Sequence, residues 1–249
     1  HPRVRRQRQM CIRDRLIGCG VTTERHSLRV MSYNIRIGIG MDDTIKLERI
    51  AAVINRVKPD YVGLQEVDSM AERSDYVDQV GELSRLTGMY PIFAPAVERS
   101  KGLYGIAALV KEKPLSYINI ALPGIEEPRT FLLLEYKDYL LCNTHFSLRK
   151  ESRLESVEII KNTLAGYDKP AVITGDFNMR PVSDECLEMG ESWKLLSDST
   201  LKTFPSDNPR VTLDYIWGYK DYLYKVTNYE VVKEPMASDH QPIYIDVTL

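Results

Sequence analysis

Apolar positions along the chain fall into short runs of two periods. Leu28–Ile35 (LRVMSYNI) is apolar and partly alternating, which predicts a strand. Across Thr44–Val57, the residues Ile45, Leu47, Ile50, Ala51, Val53, Ile54 and Val57 recur near helical spacing, and Pro59 follows the expected end. Tyr61–Gln65 reads as a short buried strand. Asp75–Thr87 reads as a helix with Val77, Val80, Leu83 and Leu86 on one face and Gly88 as its stop. Tyr104–Val110, Leu115–Ala121, Thr130–Tyr136 and Tyr139–Asn143 are expected as successive strands with tight turns, hence antiparallel. Lys137-Asp138 fits a two-residue hairpin link. Lys150–Tyr167 is amphipathic through Leu154, Val157, Ile160 and Leu164. After it come a strand at Ala171–Thr174, a short helix at Ser183–Met189, and strands at Val211–Trp217, Tyr224–Val232 and Ile243–Leu249. Helices interspersed with many strands, several in hairpins, predict an α/β sandwich of mixed sheets with helices outside. No repeat and no linker divides residues 28–249, so they are read as one domain.

Composition narrows the class. The 249 residues are 43% hydrophobic and 27% charged, as in globular chains. No apolar run reaches the length of about 18 residues that a membrane helix needs. Four cysteines in a chain this long do not make a disulfide framework. Neither Cys-x-x-Cys nor His-Glu-x-x-His occurs, which removes structural zinc and zincin readings. The net charge of −2 hides an asymmetry: residues 1–15 hold six arginines and one acid, so residues 16–249 are net −7. An acidic body is a poor non-specific binder of nucleic acid. It does not exclude a nuclease that holds metal ions, because cations offset clustered carboxylates.

Residues 1–15 (HPRVRRQRQMCIRDR) show no periodicity, and RRQRQMCIRDR resembles translated sequencing adapter. They are read as a non-native leader and set aside from fold reasoning. Leu16-Ile17-Gly18-Cys19 resembles a bacterial lipobox, with 16–27 as lipobox-like segment and linker. A lipidated Cys19 would tether the domain to the membrane and place it at the bacterial cell envelope. Without it, the expected location is the cytoplasm.

Polar residues recur where apolar strands end. Asn34 ends the first strand and Gln65-Glu66 the second; Asn143-Thr144-His145 closes a central one, Asp176-Phe177-Asn178 follows AVITG, Asp214 lies in TLDYIW, and Ser238-Asp239-His240 precedes the last strand. An isolated Asn or Asp at a strand end is an ordinary turn former. Here the only two histidines outside the N-terminal region, His145 and His240, both fall at such ends.

MSYNIR, LQEVD, NTHF, TGDFNMRP, LDYIW and SDHQP occur in an order that resembles the endonuclease/exonuclease/phosphatase superfamily, over about Leu28–Leu249. DQVGELSRLTG further resembles a bacterial branch of metal-dependent hydrolases. The resemblance implies a four-layer α/β/β/α sandwich with two mixed, largely antiparallel sheets. It also implies a metal-dependent phosphoric-ester hydrolase, a phosphodiesterase or phosphatase. Phosphoester cleavage must neutralise developing charge, position a water and protonate a leaving oxygen. Mg²⁺ (or Mn²⁺) takes oxygen ligands, usually one or two carboxylates. By resemblance, Glu66 is the principal metal ligand, with Asn34 beside it and Asp239 as a further carboxylate. Asp176 and Asn178 align the attacking water and contact the phosphate. His240 is general base or charge stabiliser, with Asp214 orienting it, and His145 donates to a phosphate oxygen.

Two departures stand out. Arg36 replaces an acid found in some abasic-site enzymes, and Ile106 replaces an Asn that many relatives place near the phosphate, leaving that contact to Tyr104. Cys142 reads as a buried thiol. The expected substrate is a small or lipid-linked phosphoester and the expected state a monomer. A DNA or RNA endonuclease or exonuclease is the alternative.

Overall fold

The computed structural model describes residues 25–219 and 222–249. The leader and Cys19 lie outside them. Among the described residues the order is β1 (Ser27–Asn34), α1 (Leu47–Val57), β2 (Tyr61–Ser69), α2 (Gln79–Thr87), β3 (Tyr90–Arg99), β4 (Gly102–Val110), β5 (Ser116–Leu122), β6 (Arg129–Glu135) and β7 (Leu140–His145). It continues with α3 (Lys150–Leu164), β8 (Ala171–Asp176), α4 (Asp184–Ser192), β9 (Trp193–Leu195), β10 (Asp214–Tyr219), β11 (Lys225–Val231) and β12 (Ile243–Thr248).

These strands form two six-stranded sheets, ordered β11-β12-β1-β2-β4-β3 and β5-β6-β7-β8-β10-β9. Each is mixed: β1 and β2 run parallel, as do β7 and β8, and the other pairs are antiparallel. Alternation along each strand sends side chains to opposite faces, so both faces of each sheet need cover. Three apolar layers supply it. Ile50, Val53, Ile54 and Leu83 of α1 and α2 pack on Met31, Tyr33 and Leu64 of the first sheet. Val30, Ile106 and Ile245 meet Leu132, Leu141 and Ile216 between the sheets. Val157 and Ile160 of α3 and Met189 of α4 cover Phe131, Leu133 and Trp217 on the far side. The four-layer α/β/β/α sandwich expected from the sequence is the observed fold.

Several local expectations differ. β4 and β5 do not form a hairpin: β4 lies between β2 and β3, whereas β5 is the edge of the other sheet. The stretch 111–115 carries the chain from one sheet to the other, and hydrophobic alternation is the same on either path. β3 was not expected, because Pro91 and Pro95 break the pattern; as an edge strand it tolerates residues that cannot donate to a ladder. The three-residue β9 was also not expected. α2 starts at Gln79 rather than Asp75, since Asp75 and Tyr76 both have φ near +55° and cannot lie in a right-handed helix.

The sheets approach each other closely at Gly63, where a Cβ would come within 2.1 Å of Thr174 Oγ1 and 2.7 Å of Asn143 Oδ1. Only glycine permits that approach. Asn143 of the second sheet donates to the carbonyls of Leu64 (2.8 Å) and Ala107 (2.9 Å) in the first, and its Oδ1 accepts from Gln65 Nε2 (2.7 Å). This buried network, in which every Asn143 side-chain atom able to bond is used, fixes how the sheets register against each other.

Candidate active site

Strand directions bring the C-terminal ends of β1, β2, β7 and β8 and the N-terminal end of β10 to one end of the sandwich. The polar strand ends noted in the sequence meet there. β2 carries a bulge, pairing Leu64 with Ala107 and Val67 with Gly105, so that Gln65 and Glu66 together oppose Ile106. Glu66 has φ +56°. The extra residue re-aims the strand and turns the Glu66 carboxylate toward the cleft.

Asn34 is fully buried and its Nδ2 donates both to Glu66 Oε1 (3.0 Å) and to Asp176 Oδ2 (3.0 Å). Its Oδ1 accepts from the Arg36 backbone N–H (3.0 Å), which fixes the amide orientation. Asn34 therefore clamps two carboxylates, one from each sheet. Asp176 Oδ1 accepts from the Asn178 N–H (3.0 Å) in an Asx turn, and Asn178, at φ +49°, donates from Nδ2 to Phe146 O (3.0 Å). The two residues thus form an Asx turn, with the Asn178 amide turned to Phe146 O.

Both histidines face Asp176. His145 Nε2 lies 3.6 Å and His240 Nε2 3.7 Å from Asp176 Oδ2. They are held differently. His240 Nδ1 donates to Asp214 Oδ2 at 2.9 Å. Burial works against its charged form, but Asp214 and Asp176 outweigh burial and push its pKa up to about 10. His145 Nδ1 lies 3.1 Å from Arg129 Nη1. A guanidinium only donates, so Nδ1 accepts and the ring hydrogen sits on Nε2. Burial, with the positive charges of Arg129 and His240, holds His145 well below the usual imidazole range. Burial, opposed by His240 and reinforced by Asp214, raises Asp176 to about 7.

Tyr104 borders the same cleft. Its ring lies 5.0 Å from the Arg73 guanidinium and 5.7 Å from that of Arg99, and burial together with the charge of Glu66 raises its hydroxyl pKa. Asp239 stands apart. Its carboxylate is 3.8 Å from Arg36 Nε, and it belongs to neither cluster of potential metal ligands among the described residues. Those clusters are Glu66, His145 and Asp176, and Asp176, Asp214 and His240, each with donor atoms within 4.8 Å of one another. In the first, the half-buried Glu66 gives access from solvent and two clamped carboxylates supply oxygen. That donor set fits a hard divalent cation. Sequence reasoning missed Arg129, because an arginine after Glu126-Glu127-Pro128 looks like an exposed turn residue. Only the fold shows it buried against His145.

A family model described as the endonuclease/exonuclease/phosphatase family matches residues 31–240. No curated protein sequence matches the chain. Among solved structures, mannosyl-6-phosphatase from Bacteroides thetaiotaomicron VPI-5482 superposes with a TM-score of 0.71 at 19% identity, over 89% of this chain and 100% of that one. An endonuclease/exonuclease/phosphatase family protein from Bacteroides thetaiotaomicron gives 0.74 at 18% identity, over 91% and 99%. The human Nocturnin catalytic domain with bound sulfate gives 0.65 at 22% identity, over 89% and 94%. At these identities the structural likeness speaks for the fold alone. The family model spans most of the sequence, and the chain belongs to the endonuclease/exonuclease/phosphatase family.

Proposed function

We propose that this family member is a Mg²⁺- or Mn²⁺-dependent phosphoric-ester hydrolase acting on a small or lipid-linked phosphoester. The observation that carries the reading is the meeting of two histidines on one buried carboxylate, Asp176, which Asn34 clamps to Glu66. Glu66 would hold the cation, with Asp176 the nearest second carboxylate. A cation there supplies Lewis-acid neutralisation of phosphate charge. Asp239, set against Arg36, contributes field rather than a ligand atom to that cluster. Asp176 Oδ2, between the two Nε2 atoms, is placed to take a proton from the attacking water. His145 presents its Nε2–H to the cleft as a donor to a phosphate oxygen, while Asp214 orients His240 for charge stabilisation or proton transfer. Tyr104 closes the phosphate side. The net −7 of residues 16–249 favours a small or lipid-linked ester over duplex DNA.

The test is turnover of bis(p-nitrophenyl) phosphate, p-nitrophenyl phosphate, a glycerophosphodiester and plasmid DNA by the purified protein, with chelator and then Mg²⁺ or Mn²⁺. Metal-restored hydrolysis of the small esters, slower cleavage of plasmid, and loss of both activity and calorimetric Mn²⁺ binding in Glu66→Gln are expected. Full activity in excess chelator would overturn the metal mechanism, and faster cleavage of plasmid would make the enzyme a nuclease. The lipobox resemblance at Cys19 adds a location to the proposal, the cell envelope. Membrane fractionation against Cys19→Ala, with the upstream genomic sequence restored, tests that separately.

A further inference from the structure

A single hydrogen bond pins one atom of an imidazole and leaves the ring plane free to tilt about it. The bond from His240 Nδ1 to Asp214 Oδ2 (2.9 Å) therefore cannot by itself keep Nε2 aimed at Asp176 Oδ2, 3.7 Å away. A second contact sets the plane. The ring of Phe204 lies against that of His240, with centroids 4.8 Å apart and planes inclined by 47°. That separation falls in the range aromatic pairs prefer. Phe204 belongs to none of the three apolar layers that build the sandwich. Its ring partner is a histidine of the cleft, not a neighbour in the core.

Phe204 is held by the segment that carries His240. It lies in a hairpin, residues 203–211, in which Phe204 and Val211 exchange both backbone hydrogen bonds (3.0 Å each). Residues on either side of Phe204 bond to residues on either side of His240. The Gln241 N–H donates to Thr203 O (2.8 Å), and the Ser206 N–H donates to Asp239 O (2.7 Å). Side chains repeat the tie: Ser206 Oγ donates to Ser238 O (2.6 Å) and Gln241 Nε2 to Ser206 O (2.7 Å). Thr203 Oγ1 accepts from the Leu213 N–H (3.2 Å), one residue before Asp214. Thr203, Ser206 and Ser238 are all buried, where hydrogen bonds are electrostatically strongest. The hairpin is thus fastened to both members of the Asp214–His240 pair, with the half-buried Phe204 between its ties.

We infer that Phe204 is a positioning residue: presented by the 203–211 hairpin, its ring fixes the plane of the His240 imidazole and so the direction of Nε2. The kinetic consequence rests on the phosphoesterase reading; the geometric one does not. The residue acts through His240, as an outer partner orients a ligating or reacting side chain.

The test compares Phe204→Leu, which keeps apolar bulk without the flat face, with Phe204→Tyr, which keeps both. With bis(p-nitrophenyl) phosphate and Mn²⁺, the leucine variant should lower kcat about tenfold at nearly unchanged KM, and the tyrosine variant should stay within about twofold of wild type. Ring ¹³C relaxation of the chelator-treated protein gives a readout that needs no turnover. The His240 signal, assigned by its absence in His240→Ala, should show a lower order parameter in Phe204→Leu and an unchanged one in Phe204→Tyr, while His145 stays as ordered as in wild type. Should the leucine variant fail to fold, Phe204→Met takes its place with the same expectations, since methionine fills irregular gaps. A His240 ring that stays ordered without the aromatic face would overturn the inference. So would a tyrosine variant as impaired as the leucine one, or a rise in KM at unchanged kcat, which would give Phe204 to substrate binding. A His240 ring that loosens in Phe204→Leu while even the wild type hydrolyses no ester would leave the positioning role standing and overturn the phosphoesterase reading.

Discussion

His145 and His240 approach the same oxygen of Asp176 from the two sheets, at 3.6 and 3.7 Å, yet their environments oppose each other. Behind His240 stands a carboxylate, and the ring is held as a cation at neutral pH. Behind His145 stands a guanidinium, and the ring is held neutral with its hydrogen on Nε2. Near-equal distances to Asp176 therefore conceal unlike chemistry. The group on Nδ1, one step away from the cleft, decides what each Nε2 offers to a phosphate.

The most damaging way to break this comparison is to remove what the two rings share. Asp176→Asn should lower kcat/KM by about 10⁴-fold, the upper end of the general acid–base range. A loss below that of either histidine variant would show that Asp176 is not the common centre. Next comes the carboxylate side. Asp214→Asn and His240→Ala should each cost about 10³-fold, and the double variant little more, since residues acting as a unit are non-additive. Multiplicative losses in the double would mean that the two act independently.

The guanidinium side should be milder. Arg129→Met should lower kcat about tenfold with KM nearly unchanged, because it removes the group that fixes the His145 tautomer and not the donor itself. Ring ¹⁵N shifts of His145 should move from a single tautomer toward a mixture, and Arg129→Lys, which still donates, should restore the single form. Unmoved shifts in Arg129→Met would leave the arginine a purely structural role.

The smallest effect separates the rings by stability. With chelator present, His145 binds its proton less readily folded than unfolded. It therefore costs stability as pH falls below about 6.5. His240 binds its proton more readily when folded, so its contribution is complete below pH 6.5 and lost as pH rises toward about 10. Thermal melts across pH should show His145→Ala flattening the acid limb and His240→Ala the alkaline limb. The reverse pattern would contradict the assignment of the two charge states.

The candidate site was legible in the sequence because each of its polar side chains stands at or beside a short apolar run, after it for His145 and Asp176 and before it for Asp214 and His240. Glu66, His145, Asp176, Asp214 and His240 could all be found that way, and the structure brings them together. Their partners could not be found. Arg129 reaches His145 across two strands, and Arg36 meets Asp239 across 203 positions, so no local window contains either pair. The sandwich was legible as a class, but the crossing from β4 to β5 was not, because a strand has the same alternation in either sheet. β3 was hidden by Pro91 and Pro95, which only its place at an edge permits.

β12 lies between β1 and β11, so the first sheet is completed by pairing two segments far apart in the sequence, Ser27 against Thr248. His240 enters the cleft with that closing strand. The strands that carry Glu66, His145 and Asp176 can pair over shorter separations, but the second imidazole arrives only when β12 closes on β1. Assembly of the complete cluster therefore waits on a contact of high sequence separation, the kind that forms slowly because loop closure precedes its reward.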